Sequence, residues 1–380
     1  MFDIALKMLF GDRAKYAMLV SGIAFATILM TQGFALFFGI LSFSYATISN
    51  VRSPIWVFDP LVQQIADNQP LRDTDVDRVR SVEGVAWAAP LYIGGATAKL
   101  LGDGGSSQQV TLIGIDANTL AGAPTNLLSG NVLDLRMAES VIVDANFVFQ
   151  VKALRGKELK LGDVFEMNDR RARIVGIASL SQGMGGATSI YTTWDRAKGY
   201  APSQRKMLTH VLASPQAGRS LAEVCRAITE ATGLKAVSEA EFKDMSELFM
   251  VKYSPIPFVV GLMVVIGFVI GVAISGQTFY AFILENTRYL GALKAMGTSN
   301  TTLAAMILLQ ALIVGLTGFG LGVGVMSAFF SSLPPGRVPL LLLWPVPVGV
   351  LCAVLFICMG AALLSVLRVS RIEPAIVFRS

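Results

Sequence analysis

The sequence predicts a membrane protein built from four transmembrane α-helices and an α+β domain carried between the first and the second. Three observations predict it. Charged residues make up only 15% of the 380, against 53% hydrophobic, where an average soluble chain carries roughly 25% charged residues. The shortage is uneven: residues 48–252 read as ordinary globular protein, and the rest as long apolar runs joined by short polar pieces. Those short pieces differ in positive charge, which sets a direction across a bilayer.

The apolar runs are Tyr16 to Phe43, Phe258 to Leu284, Leu303 to Phe330 and Leu340 to Val366, and none holds a charged side chain. Each exceeds the ~20 residues that cross a hydrocarbon core as a helix. The first is too long for a signal-peptide core and ends at bulky Phe43 and Tyr45, where cleavage needs small residues, so it is expected to stay attached. Basic residues gather at the N-terminal flank (Lys7, Arg13, Lys15), in the loop after the second run (Arg288, Lys294) and in the tail (Arg368, Arg371, Arg379). The connection at residues 331–339 has Arg337 alone. The positive-inside rule then puts both termini and the 285–300 loop in the cytoplasm and the large domain outside it.

The expected layout follows. Residues 1–15 form an amphipathic helix at the cytoplasmic interface, with Phe2, Leu6, Leu9 and Phe10 on one side; an extension of the first transmembrane helix is the other reading. Spans cover 16–47, 253–284, 301–330 and 340–367, with a cytoplasmic helix in 285–300, an external loop at 331–339 and a tail at 368–380.

The net charge of +5 sits on the membrane flanks, because residues 48–252 hold equal numbers of basic and acidic side chains. Nucleic-acid binding therefore has no support. Cys225 stands alone in the large domain, and Cys352 and Cys358, six apart on one helix, point to different faces. The single histidine, His210, lies in a strand-like stretch and reads as structural. There is no Cys/His metal spacing, P-loop, G-x-S-x-G or H-E-x-x-H, and Gly183 to Gly186 reads as a loop, not a phosphate cradle. No catalytic constellation is visible.

Within 48–252 the pattern is α+β. Ile55 to Phe58 and Val85 to Pro90 read as strands, with Thr74 to Arg80 as a helix between them. A Gly/Ser tip at residues 102–107 joins two hairpin strands, and residues 140–177 read as a run of short strands. Glu223 to Thr232 and Glu239 to Val251 read as helices around the strand Lys235 to Val237. The expected architecture has two lobes: an outer one from 48–118 and 203–250, and an inserted β-rich one at 119–202.

In the membrane half, the third span carries Gly315, Gly318, Gly320, Gly322 and Gly324, so that Gly318/Gly322 and Gly320/Gly324 are small-xxx-small pairs; the second has Gly267/Gly271. Such pairs let helix backbones approach closely in lipid. With no Asp, Glu, Lys or Arg inside the spans and no inverted repeat, an ion-coupled secondary transporter is disfavoured. The loop from Glu285 to Gly297 reads as a short amphipathic helix, with Leu290, Leu293 and Met296 on a shared side, Arg288 and Lys294 as charges, and a stop at Gly297. Charge and apolar anchors together suit docking into a partner's groove.

This segment closely resembles the E-x-T-R-E-I-G-x-L-[RK]-A-[LM]-G signature of the MacB/FtsX superfamily (type VII) of ABC transporter permeases. The Gly-rich third span, the tail from Arg368 through Arg371 and Pro374, and Gly130, Val141 to Asn146, Leu161 to Asp163 and Ile174 to Gly176 resemble the family as well. One departure is Tyr289, where the family usually has Glu; another is that no fused ATPase is present, as in DevC and the LolC/LolE permeases.

The resemblance implies a MacB periplasmic-core type of α+β domain and a multi-pass protein of the bacterial inner (plasma) membrane. It implies ATPase coupling through Glu285, Arg288, Leu290, Leu293, Lys294, Met296 and Gly297, and helix packing through Gly267, Gly271, Gly318, Gly320, Gly322 and Gly324. On this resemblance the chain itself is expected to be no enzyme and to hold no cofactor, with ATP and Mg bound by a separate cytoplasmic ABC ATPase. A homodimer in membrane lipid, a periplasmic adaptor and a TolC-like outer-membrane channel complete a DevC-like exporter working by mechanotransmission. Lipoprotein extraction of the LolC/LolE type and FtsX-like control of cell-wall hydrolases share the architecture and stay open.

Overall fold

The computed structural model describes residues 2–99, 107–156, 158–183, 186–201, 208–333 and 340–369. The chain divides into two compact units, a helical one (1–39, 255–334 and 340–380) and an α+β one (40–254 with 335–339).

The helical unit begins with α1 (Phe2–Gly11) and α2 (Arg13–Val51). It continues with α8 (Ile256–Glu285), α9 (Thr287–Ala295), α10 (Asn300–Ser332) and α11 (Pro345–Val369). Among the described residues, four helices are long and apolar enough to cross a membrane: Arg13–Val51, Ile256–Phe282, Asn300–Ser332 and Pro345–Leu364. The first is longer than the expected 16–47. At 1.5 Å per residue it reaches about 58 Å, twice a hydrocarbon core, so its last turns belong to the α+β unit.

Asp12 separates α1 from α2 by accepting hydrogen bonds at Oδ1 from the Ala14 and Lys15 backbone N–H groups, both at 3.2 Å. The apolar face of α1 differs from the expected one. Ala5 and Leu9, one turn apart, enter the core, Leu6 is half-buried and Phe10 is exposed; the Phe2 side chain lies outside the described residues. Gln310 of α10 explains the choice, because its Nε2 donates to the Ala5 carbonyl at 2.8 Å and draws that face of α1 against α10. A buried carboxamide in an apolar bundle needs such a partner.

The α+β unit is organised by one ten-stranded sheet. Its strands are β1 (Ile55–Phe58), β2 (Val85–Lys99), β3 (Ser107–Ile115), β4 (Leu127–Gly130), β5 (Ser140–Asp144), β6 (Val164–Met167), β7 (Arg170–Ala178), β8 (Thr188–Thr193), β9 (His210–Pro215) and β10 (Lys235–Ser238). The order is β10-β1-β9-β2-β3-β8-β5-β7-β4, with β6 pairing both β2 and β7. The two expected lobes are therefore two halves of one sheet. Strands from 48–118 and 203–250 occupy one half and those from 119–202 the other, joined by the parallel β3–β8 pair, Val110↔Thr188 to Ile115↔Thr193. That pairing links residues far apart in sequence, which a strand-by-strand reading does not reach.

The helices here are α3 (Asp75–Arg80), α4 (Ala145–Arg155), α5 (Trp194–Tyr200), α6 (Leu221–Thr232) and α7 (Glu239–Tyr253). The helix α4 corrects the expected run of strands in 140–177. Its signals are local: the Asp144 side chain accepts from Asn146 N at 3.1 Å as an N-cap, and Gly156 ends the helix at φ 69°. The helix α5, from Trp194, was likewise not expected. The helix α7 starts with a capping box in which Ser238 and Glu241 bond reciprocally. The hairpin tip at 100–106 lies outside the described residues, but Lys99↔Ser107 closes the hairpin below it.

His210 and Asp144 are both fully buried in this unit and pull in opposite directions. His210 packs among the rings of Trp56, Phe58 and Phe242, at centroid distances of 5.7, 5.8 and 5.9 Å. Its Nδ1 lies 2.9 Å from Thr209 Oγ1, Nε2 has no partner, and burial lowers its pKa to about 3. Burial instead raises Asp144 to about 6, against the hydrogen bonds from Asn146 and from the Leu180 backbone that favour its charge.

The signs give a test. Between pH 6.5 and 4 the unfolded chain takes up a proton at residue 210 that the folded one refuses, so the histidine lowers stability on acidification. Over the same range the folded chain takes up a proton at Asp144 before the unfolded one does, which raises it. Denaturation at pH 7 and pH 4.5 should therefore show Asp144→Asn losing more stability on acidification than the natural chain, and His210→Gln losing less. Identical pH dependence in all three would contradict the burial of both groups.

Candidate functional site

The segment joining α8 to α10 is built as a fixed joint. Helix α8 ends at Glu285, and Asn286 closes it by donating from Nδ2 to the Phe282 carbonyl at 2.8 Å. At the other end of α9, Gly297 takes φ 90°. Its N–H reaches the Lys294 carbonyl at 3.0 Å and the Thr298 N–H reaches the Leu293 carbonyl at 3.1 Å, the two bonds of a Schellman motif. Ser299 then caps α10 by accepting from Thr302 N at 3.2 Å. Only Thr298 lies between the two caps, so the turn from α9 to α10 is short and hydrogen-bonded at both ends.

The apolar face of α9 differs from the expected one. Leu290 is 4% exposed and Leu293 7%, and both pack in the chain's own core with Phe279 and Phe282 of α8, Leu303 and Met306 of α10 and Leu9 of α1. Met296 is 75% exposed and Tyr289 65%. The reason is angular. At 100° per residue, Leu290 and Leu293 lie about 60° apart, whereas Met296 lies about 120° from Leu290 and almost in line with Tyr289, seven residues earlier. The outward face thus carries Tyr289 and Met296, while Leu290 and Leu293 anchor the helix. Tyr289 stood out in the sequence only as a departure from a signature, and its exposure is what marks it.

Charged groups brace the same region. Lys15 at the start of α2 forms an ion pair with Glu285 at the end of α8 and another with Asp12 at 2.8 Å. Lys294 is half-buried; the side chain of Arg288 and the tail from residue 370 lie outside the described residues. Among the described residues, no three His, Cys, Asp or Glu side chains group as a metal-ligand set.

The glycines of the spans divide by face. A Cβ on Gly318 would stand 2.7 Å from Ile23 Cγ2, and one on Gly322 2.6 Å from Thr27 Cβ, so these two lie where α10 meets α2. Gly267 and Gly271 of α8 face Leu29 and Ala26 of α2, with Cβ distances of 3.0 and 2.9 Å. Gly320 and Gly324 depart from the expectation within the single chain, since nothing lies within 4 Å of either Cβ position. Two residues' advance turns a helix by 200°, which takes them away from α2.

Comparison with known proteins bears on the whole chain. Residues 17–231 match the family described as MacB-like periplasmic core domain, and residues 261–374 match FtsX-like permease C-terminal. Uncharacterized ABC transporter permeases from two strains of Mycobacterium tuberculosis are 25% identical over 315 residues, covering 81% of this chain and 79% of theirs. Among solved structures, the periplasmic region of MacB from Actinobacillus actinomycetemcomitans is similar at 14% identity and a TM-score of 0.39, covering 52% of this chain and 94% of that one. The extracellular domain of the noncanonic ABC-type transporter YknZ from Gram-positive bacteria is similar at 14% identity and a TM-score of 0.36, covering 49% of this chain and 100% of that one. The chain belongs to the MacB/FtsX-type family of ABC transporter permeases. Membership makes it a transmembrane transporter subunit and implies an ATPase partner.

The glycine geometry has a direct check. Gly318→Ala or Gly322→Ala should destabilise the purified chain by about 1–3 kcal/mol through overpacking. Gly320→Ala and Gly324→Ala should be neutral or stabilising, because alanine favours helix by up to about 1 kcal/mol. Thermal unfolding of the four variants in detergent separates the two faces.

Proposed function

We propose that the chain is the permease subunit of an ATP-driven exporter of the MacB/DevC kind, working by mechanotransmission. The observation that carries this reading is the joint at α9. It is a short helix bonded through a Schellman turn to α10, anchored inward by Leu290 and Leu293, and open outward at Tyr289 and Met296. A partner pressing on that outward face would move α8, α9 and α10 together, because only Asn286 and the capped turn after α9 separate them. Glu285 and Lys294 supply charge beside that face, and the Lys15–Glu285 pair links the start of α2 to the same joint.

In this reading the partner is a separate cytoplasmic ATPase, which holds ATP and Mg. The α9 joint and both termini face the cytoplasm and the α+β unit faces outward, across the bacterial inner membrane. The subunit works as a homodimer with a periplasmic adaptor and an outer-membrane channel.

Two experiments test it. With the ATPase co-expressed, Met296→Glu combined with Tyr289→Ala should cut ATPase co-purification and permease-stimulated ATP hydrolysis by about tenfold, while the chain still folds and inserts. Leu293→Ala should instead destabilise the chain itself by about 2–5 kcal/mol. Unchanged association and hydrolysis in the double variant would sink the coupling role of α9. In intact cells, a cysteine at position 137 should react with a membrane-impermeant maleimide and one at 296 should not; the reverse would invert the topology.

A further inference from the structure

Among the described residues the chain passes between its two compact units at 39–40 and at 254–255, and the two passages are built in opposite ways. The first lies inside α2, which is unbroken from Arg13 to Val51. Beyond it Ser44, Ala46, Thr47, Ile48, Asn50 and Val51 are all buried. The Asn50 carboxamide donates to the Ser181 carbonyl at 2.7 Å and accepts from the Ser181 N–H at 2.9 Å. Just past the helix, the Ser53 hydroxyl reaches the carbonyls of Ile55 and Ala213 at 3.1 and 3.4 Å. Ser181 follows β7 and Ala213 lies in β9, so the end of α2 is bonded to both halves of the sheet.

The second passage is a break. Helix α7 ends at Tyr253 and α8 begins at Ile256. Between them Ser254 is extended, at φ −92° and ψ 137°, the conformation that a following proline favours. Pro255 and Pro257 have no N–H to give the carbonyls of Val251 and Tyr253, so a helix cannot run through. Packing does not fix the angle either, because no residue from Val251 to Val259 is buried. The nearest buried residues are Met250 on one side and Val260 on the other, so each helix is held within its own unit and the stretch between is not.

We infer that Ser254–Pro255 is a pivot, and that α2 is the connection through which displacement enters the α+β unit. A hinge needs only a few residues at the end of an element to absorb a change in backbone angle, and Ser254 stands between two helices with nothing packed on it to resist. A continuous helix seated at its far end by Asn50 and Ser53 conveys a push instead. Two rigid connections would lock the units together, and two loose ones would pass no displacement. The role of α2 rests on the export reading above, whereas the pivot does not.

Spin-label distances within the full chain test both parts, in nanodiscs with the ATPase co-expressed and labelled chains diluted into unlabelled ones. Cys225, Cys352 and Cys358 are first replaced by alanine. One label pair crosses the break, at Asp244→Cys and Leu262→Cys, both exposed positions. The other lies along α2, at Phe25→Cys and Ser49→Cys. At 1.5 Å per residue an unbroken helix would set these pairs about 27 Å and about 36 Å apart. The pair across the break should give a broad distribution that shifts when AMP-PNP and Mg are added. The α2 pair should give one narrow distance in both states. Pro255→Ala combined with Pro257→Ala should narrow the first pair to about 27 Å and abolish its shift. A narrow first pair in the natural chain, or an α2 pair that changes with nucleotide, would overturn the inference, and neither needs the proline variant to fold. A first pair that stays broad in that variant would overturn it too. A first pair that is broad and narrows in the variant, with neither pair responding to nucleotide, would keep the pivot and overturn the export reading together with the role given to α2.

Discussion

The helical unit depends on the close approach of α2 to α8 and α10. Helices in lipid gain nothing by hiding apolar surface from water, so association rests on van der Waals contact at short range. Here that contact is made over glycines from both sides. A Cβ at Gly22 would stand 2.4 Å from Ile274 and one at Gly33 2.6 Å from Val264, while Gly318 and Gly322 do the same for α10. Contacts rise together along α2 and α10 and run in opposite order along α2 and α8, so α2 and α10 are parallel and α8 is antiparallel to both. Successive crossings of one bilayer require that alternation.

Around this packed centre, polar groups fix what apolar contact leaves adjustable. Gln310 holds α1 through the Ala5 carbonyl, Lys15 and Glu285 tie the start of α2 to the end of α8, and the Schellman turn at Gly297 joins α9 to α10. Gln310 reaches α1 from the interior of α10, whereas the ion pair and the Schellman turn lie at helix ends, the turn satisfying backbone groups that the end of α9 leaves open. Together they make the short helix α9 part of a stiff assembly. A stiff assembly can convey displacement, which is what the proposed coupling at α9 calls for.

The α+β unit solves a different problem. Its sheet brings two stretches of sequence into one surface through the parallel β3–β8 pair, while His210 on β9, among Trp56, Phe58 and Phe242, and Asp144 at the end of β5 are buried away from water. The histidine stays neutral among aromatic rings, and the aspartate is kept as a helix cap for α4 at the cost of a raised pKa. Both are structural uses of titratable groups. Their opposite responses to acid leave the unit's stability less sensitive to pH than either alone would.

The sequence by itself determined the class of the protein. Four uncharged runs longer than a bilayer is thick have few alternatives, and the hydrophobic patterns placed β1, β3, α3, α6 and α7 within a residue or two because those elements depend on local periodicity and caps. The segment at 285–297 was legible as a helix with a Gly297 stop for the same reason. Tertiary structure decided which faces were used. Leu290 and Leu293 turned inward and Met296 outward because three helices converge on one side of α9, and no count of apolar residues contains that fact. It also decided that Gly318 and Gly322 are covered while Gly320 and Gly324 are open, and that the two expected lobes share one sheet, since both follow from partners distant in the chain. Local chemistry sets what an element is, and the neighbours it meets set which of its sides does the work.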